Sequence, residues 1–418
     1  MSDDGEGGPS DLQVRRLLVS LGSAMVATGQ PVSDIEDEVV EVSARLGFPD
    51  AQVAAGPTGV MLSLGSGQPS TYQGVQGSLR LDQAAEVRTI RYQLLQGLLT
   101  IDEAIAALLA LPHRPPRYPT RLANLGWVAI ATGIALILQP GWANVAFGAF
   151  GGAVVVALYR LGQRIRLVGT LLPTLAAFVL GCLVFAGTDA GLIVGPLRTL
   201  LPPLAVLLPG ALLVTAMSEL ATGDMVAGAA RLIFGSVQLL LFTLGIVAAA
   251  RLFAVPAAGL GNLRVDELGW WAAPLGLLLI TAGIELLESP SLRLLPWIAL
   301  TLVLAFTAQS LGQRLSGPVL GSFAGALAAS LGAYAVEAIR PRLPRLVVFL
   351  PSFWLLVPGS LGLLSTTQLA VEASASGSTL TAVLGVVTAI ALGLLVGSAV
   401  AQSIRGAVRR ARRPPLGR

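Results

Sequence analysis

Leu161-Gly162-Gln163-Arg164 returns as Leu311-Gly312-Gln313-Arg314, and Leu201-Pro202 through Leu207 to Pro209-Gly210 returns as Leu350-Pro351 through Leu356 to Pro358-Gly359. The first pair is offset by 150 residues and the second by 149. The apolar part of the chain therefore reads as one unit of about 150 residues written twice. If each copy holds five membrane spans, an odd number, the second copy lies upside down relative to the first. Inverted repeats interrupted by Pro-Gly in matching spans point to a secondary transporter.

Mean hydropathy is +0.76, with 54% apolar and only 12% charged residues, against roughly 25% charged in a soluble globular chain. A polytopic protein of the lipid bilayer is expected. Residues 1–118 carry 14 acidic and 8 basic side chains, and residues 119–418 carry 9 acidic and 19 basic. An acidic soluble module thus precedes a basic membrane module. Every cationic side chain is Arg, and no basic stripe interleaved with aromatics exists, so nucleic-acid binding is excluded. One cysteine, Cys182, and one histidine, His113, leave no metal site and no Cys/His nucleophile pair. No cofactor motif occurs. The polar, Gly-rich start lacks an apolar h-region, so a cytoplasmic amino terminus without a signal peptide is expected.

The expected architecture is a mainly α membrane protein. A disordered stretch at 1–13 and a cytoplasmic α+β domain at 14–118 precede repeat 1 at 119–268 and repeat 2 at 269–404, five transmembrane helices each, and a basic tail at 405–418. In the soluble module, helical spacing runs from Leu12 to Thr28 and stops at Gly29. Ser33 and Glu36 read as the capping box of a second helix ending at Gly47. Strands are expected at Gln52–Ala55, Val60–Leu64 and Thr71–Leu79. Asp82 reads as the cap of a third helix, and Thr100 with Glu103 as that of a fourth. The acidic run Asp34, Glu36, Asp37, Glu38 and Glu41 reads as a solvated helix surface, and Gly65-Ser66-Gly67 as a hairpin turn.

Ten spans fit the apolar stretches: 122–138, 143–159, 167–187, 199–219, 232–253, 271–287, 295–312, 317–337, 347–369 and 380–403. With both ends inside, inner connections hold eight Arg and outer ones only Arg198, Arg251, Arg264 and Arg314. The positive-inside rule then places both termini in the cytoplasm of a plasma (inner) membrane protein.

Pro209-Gly210 and Pro358-Gly359 lie about half-way through their spans, roughly 15 Å deep. Proline removes a helix hydrogen bond, so each span should break there, and the new helix start offers its positive end to a carboxylate. Polar clusters follow: Thr215, Ser218, Glu219, Thr222 and Asp224 after the first break, and Ser365, Thr366, Thr367 and Gln368 after the second. The expected substrate-binding set is Pro209, Gly210, Thr215, Ser218, Glu219, Pro358, Gly359, Ser365, Thr366, Thr367 and Gln368. Glu219, Asp224 and Glu285, with Glu288 one turn on, are candidates for carrying a proton, since desolvation raises a buried carboxylate's pKa. Gln238, Ser236, Thr307 and Gln309 are weaker candidates.

These residues resemble a known family. Gly29 through Gly47 with Ile35-Glu36, then Gly56-Pro57-Thr58, is similar to the amino-terminal domain of the threonine/serine exporter family. Pro209-Gly210, Glu219-Leu220, Gly223-Asp224, Gly228 and Arg231 resemble its signature around the fourth span, and Pro358-Gly359-Ser360 that of the second half. Glu219 stands where that family more often has Asp, and Ser33-Asp34 where an Arg is common. The resemblance implies export of small hydroxy amino acids, threonine and serine, by proton antiport. A membrane-anchored enzyme or sensor acting through the soluble domain, and a passive small-solute channel, are the rival readings. Homo-oligomerisation is left open.

Overall fold

The computed structural model describes residues 10–75, 77–256, 263–339, 348–352 and 378–411. Two compact units form. One takes in the residues up to Pro115 together with Glu219–Ala230, the other Pro116–Ser218 and the residues from Arg231 onward.

The first unit is an α+β fold. Its elements are α1 (Asp11–Ala27), α2 (Val32–Arg45), β1 (Gln52–Gly56), β2 (Gly59–Ser63), β3 (Thr71–Gly74), α3 (Leu81–Leu95) and α4 (Ile101–Ala110). The strands form an antiparallel sheet in the order β1-β2-β3, with Val53 opposite Leu62 and Val60 opposite Gln73. Helix α1 is the core. Its Val14, Leu17, Leu18, Leu21 and Met25 are buried with Ile35 and Val39 of α2, Val60 and Leu62 of β2, Ile90 of α3 and Leu108 of α4.

Local signals decide most boundaries. Thr100 accepts from the Glu103 amide while Glu103 reaches back to Thr100, as the sequence predicts. The Thr100 hydroxyl bond holds the Glu103 carboxyl below its ordinary range. A second capping box, Ser10 with Gln13, starts α1. Three expectations fail. The Ser33 box does not form, because α2 starts two residues earlier with Pro31 at its cap, and Glu36 turns instead to the Ala55 amide at 2.8 Å. Asp82 lies inside the first turn of α3, whose cap is Arg80. The third strand ends at Gly74, and the Leu79 amide leaves the sheet to bond Ala27 O at 2.9 Å.

The second unit is helical: α5 (Thr120–Leu138), α6 (Trp142–Arg164), α7 (Arg166–Thr170), α8 (Leu172–Asp189), α9 (Pro196–Leu204), α10 (Gly210–Thr222), α11 (Met225–Leu252), α12 (Ala272–Glu288), α13 (Leu295–Ile339) and α14 (Ser378–Ala411). Helices α10 and α11 also supply the Glu219–Ala230 stretch of the first unit. Among the described residues five helices, α5, α6, α8, α11 and α13, are long and apolar enough to cross a membrane. The chain is a multi-pass membrane protein.

Helix α13 is 45 residues long and holds a kink at Ser316 (φ −152°) and Gly317 (φ 84°), which separates the stretches expected at 295–312 and 317–337. The stretch expected at 347–369 falls mostly outside the described residues.

Helices α5 and α12 run antiparallel in backbone contact. A β-carbon on Gly126 would lie 2.7 Å from Gly283 O and one on Gly283 2.7 Å from Gly126 O, while Gly133 and Gly276 meet the same way at 2.6 Å. Only glycine permits this approach.

Candidate functional site

The span expected at 199–219 is broken. Helix α9 ends at Leu204, a turn follows, and α10 starts at Gly210. Pro209 has no amide hydrogen to continue the ladder, and its ring clashes with the carbonyl four residues back. The first bond of the new helix runs from the Leu213 amide to Pro209 O at 3.0 Å.

The two halves of this span pack in different places. Leu197, Leu200, Leu201 and Leu204 of α9 share a buried cluster with Val155 of α6, Leu180 of α8 and Phe242 of α11, and Leu207 and Leu208 pack against it. Immediately past Pro209 the partners change. Val214 of α10 shares a cluster with Ala326 of α13 and Val386 and Ile390 of α14, with Ala211, Phe349 and Leu350 packed against it.

A polar knot holds α9. The Asn144 amide donates to Thr199 Oγ1 at 2.7 Å and Val194 O at 2.9 Å, and Thr199 donates to Gly195 O at 3.0 Å. Gln139, fully buried, donates to Val194 O at 3.0 Å and Leu263 O at 3.2 Å and accepts from the Val265 amide at 3.2 Å. The sequence reading missed both amides. The signal was there, polar side chains at the ends of two apolar runs joined by Pro140-Gly141.

Thr215 and Ser218 lie half-buried on α10. Glu219, 0% exposed, accepts the Val32 amide hydrogen at 3.1 Å inside the first unit. It supplies the acceptor that Pro31 lacks at the start of α2, and its charge suits the positive end of that helix. Thr222 donates to Glu219 O at 3.1 Å and Asp224 Oδ2 at 3.2 Å, and the Asp224 amide closes the turn on Glu219 O at 2.8 Å. Asp224 is half-buried and faces Glu36. Burial pushes the Glu36 carboxyl up, the Ala55 amide partly offsets this, and repulsion from Asp224 and Asp37 adds to the rise.

The acidic run is therefore not simply a solvated surface. Glu38 pairs with Arg91 at 3.0 Å and Arg88 at 4.0 Å, and Glu41 pairs with Arg91.

Glu285, 7% exposed, lies in the last turn of α12. Its Oε1 accepts from Arg117 at 3.1 Å and from the Tyr118 hydroxyl at 2.8 Å, and Arg117 also donates to Pro290 O at 3.2 Å. The hydrogen bond to Glu285 pushes the Tyr118 phenol up. Ser236 and Thr307 are exposed, and Gln238 and Gln309 half-buried. Pro358, Gly359, Ser365, Thr366, Thr367 and Gln368 lie outside the described residues. Among the described residues no cluster of His, Cys, Asp or Glu could hold a metal ion.

A broken apolar span, a buried carboxylate just beyond it and a small acidic α+β unit are what the comparisons with known proteins have to fit. The family model ThrE, threonine/serine exporter, matches residues 16–253. A protein of Mycobacterium tuberculosis named "Probable threonine/serine exporter" is 27% identical over 236 residues, covering 54% of this chain and 44% of that protein. The match thus spans less than half the length of that relative. No solved structure matches. With more than half of its length matched by the family model, this chain belongs to the threonine/serine exporter family.

Proposed function

We propose that the chain is a ten-span secondary transporter of the plasma membrane, both termini cytoplasmic, that exports threonine and serine in exchange for protons by alternating access. The observation that carries this reading is the break at Pro209-Gly210, with α9 and α10 packed in separate clusters. A span whose halves belong to different packing groups can part at the break while both groups stay intact. The free amides at the start of α10 would bind the substrate carboxylate, with Thr215 one turn on.

Two features support the inverted repeat. Leu125-Gly126, Gly133-Ile134 and Pro140 return at an offset of 150 as Leu275-Gly276, Gly283-Ile284 and Pro290. Yet Gly126 touches Gly283 and Gly133 touches Gly276. A two-fold relation between copies makes residue i meet j of the other copy, and j meet i. The second feature lies at the helix ends. Pro140 O accepts the Glu267 amide at 2.9 Å and Pro290 O accepts from Arg117 at 3.2 Å, and 117 and 267 are again 150 apart.

Glu219 is nine residues along α10 from Gly210, about 14 Å at 1.5 Å per residue. One small amino acid cannot touch both. The carboxylates Glu219, Asp224 and Glu285 are therefore proposed as proton sites rather than as partners of the substrate ammonium, with Ser218 and the second-half residues Pro358, Gly359, Ser365, Thr366, Thr367 and Gln368 completing the proposed set.

The test is counterflow in proteoliposomes loaded with serine or threonine, with and without a pH gradient. Saturable exchange accelerated by the gradient is expected, and P209A, which restores a continuous helix, should abolish it. Absence of saturable exchange, or exchange indifferent to the gradient, would overturn the antiporter reading.

A further inference from the structure

Among the described residues four hydroxyls, those of Thr174, Ser289, Ser322 and Ser352, are buried without a hydrogen-bond partner, and the last two share a neighbourhood. Ser322 of α13 and Ser352 are 1% and 0% exposed, and neither Oγ meets a hydrogen-bond partner. Many other helical hydroxyls in this unit, though not Thr174 of α8, solve the problem locally. Thr281 donates to Leu277 O at 2.8 Å, Thr301 to Trp297 O at 2.9 Å and Thr307 to Val303 O at 2.8 Å, each to the carbonyl four residues back. Ser322 has the same option on its helix and does not take it. Buried polar groups left without a protein partner are found where a ligand or an ordered water completes them.

Their position gives the candidate ligand. Ser322 is one helical turn before Ala326, and Ser352 is two residues past Leu350. Ala326 and Leu350 belong to the cluster that receives Ala211 and Val214, the first residues of α10 after the Pro209 break. Each hydroxyl thus lies within one helical turn, along the chain, of a residue that packs against the start of the proposed carboxylate-binding helix, on the side of the second-half helices.

We propose that Ser322 and Ser352 are specificity-determining residues that hydrogen-bond the side-chain hydroxyl of a small hydroxy amino acid. The inference rests on the transport reading above. A hydroxyl donates one hydrogen bond and accepts two, so a pair of serines satisfies a third hydroxyl and is satisfied by it. A substrate without the hydroxyl leaves both buried groups unpaired, and a site built to bond a hydroxyl discriminates strongly against such analogues.

Counterflow of serine against alanine by the full chain in proteoliposomes tests this. Wild type should prefer serine. S322A and S352A should each lower the serine-to-alanine ratio of kcat/KM by roughly tenfold or more, through a higher KM for serine with alanine unchanged. S322C and S352C, which keep the volume and lose most of the hydrogen bonding, should do the same if an alanine variant fails to fold. The melting midpoint should not fall in S322A or S352A, since each removes an unpartnered polar group. Variants that retain the wild-type ratio would overturn the assignment, as would a fall in midpoint with the ratio intact, which marks a structural role. Loss of saturable exchange in wild type itself would instead overturn the transport reading.

Discussion

Gly126 and Gly283 face each other so closely that a β-carbon on either would lie 2.7 Å from the other's carbonyl oxygen. Real β-carbons do not come that near. Helices α5 and α12 are therefore held at backbone contact, and without water or a hydrophobic difference between lipid and side chain, such contact is what joins helices in a bilayer. Alanine at any of Gly126, Gly133, Gly276 or Gly283 should force the helices apart and cost about 1–3 kcal/mol. Thermal unfolding in detergent reads this. G126A/G283A should cost less than the sum of its single variants, because the first alanine already opens the space for the second. Four neutral variants would show that the seam tolerates separation.

Much of this fold was legible. Proline removes a helix hydrogen bond and glycine after it adds freedom, so the break at Pro209-Gly210 followed from two residues, although α9 carries Pro202 and Pro203 within it, and the Thr100–Glu103 box followed from two residues three apart. The copy of Leu125-Gly126 through Pro140 at Leu275-Gly276 through Pro290 is legible too, but dipeptides scattered through apolar runs mark a repeat more weakly than the unbroken Leu-Gly-Gln-Arg string at the same offset. What sequence could not show is partnership across distance. The Ser33–Glu36 box is a local preference, and it lost to Pro31 at the cap and to Ala55 across the fold. The bond between Val32 and Glu219 joins residues 187 apart, and that between Arg117 and Glu285 residues 168 apart. No spacing rule reaches so far, so the carboxylates could be named as candidates while their partners could not.

Glu219 caps α2 through the Val32 amide, which separates its structural role from its charge. A glutamine oxygen can still accept that bond, whereas alanine cannot. E219A should therefore lose about 1 kcal/mol of stability, while E219Q keeps most of it. If Glu219 carries the coupled proton, E219Q retains serine binding and exchange but loses acceleration by the pH gradient. Thermal melts and counterflow on the same two variants check both halves. Gradient-driven exchange intact in E219Q would leave Glu219 as a cap alone.

Glu36 gives a pH dependence with a definite sign. Burial, with the facing Asp224 and Asp37, raises its carboxyl above the ordinary 4.5, so the folded chain holds that proton more tightly than the unfolded one. The stabilisation is present in full below pH 4.5 and is lost as pH climbs through the raised folded value. E36Q keeps an acceptor for the Ala55 amide without the charge. Its melting midpoint should exceed that of wild type at pH 7, with the gap closing toward pH 4. A constant gap, or one that widens on acidification, would contradict the assignment.

Arg117 and Glu285 supply the last prediction. The Glu285 side chain is 10% exposed and that of Arg117 is 42% exposed, so the cation can be solvated without its partner but the anion cannot. Removing the arginine strands a buried charge, whereas removing both charges strands none. R117Q should thus be less stable than the double variant R117Q/E285Q. Because Arg117 is partly exposed and Tyr118 still donates at 2.8 Å, the difference should be about 1–2 kcal/mol, below that of a fully buried pair. Y118F in the R117Q background removes the remaining donor and should widen that difference. Denaturation of R117Q, R117Q/E285Q, R117Q/Y118F and R117Q/Y118F/E285Q at neutral pH closes the cycle. Equal stabilities for R117Q and R117Q/E285Q would show that Arg117 does not offset a buried charge on Glu285.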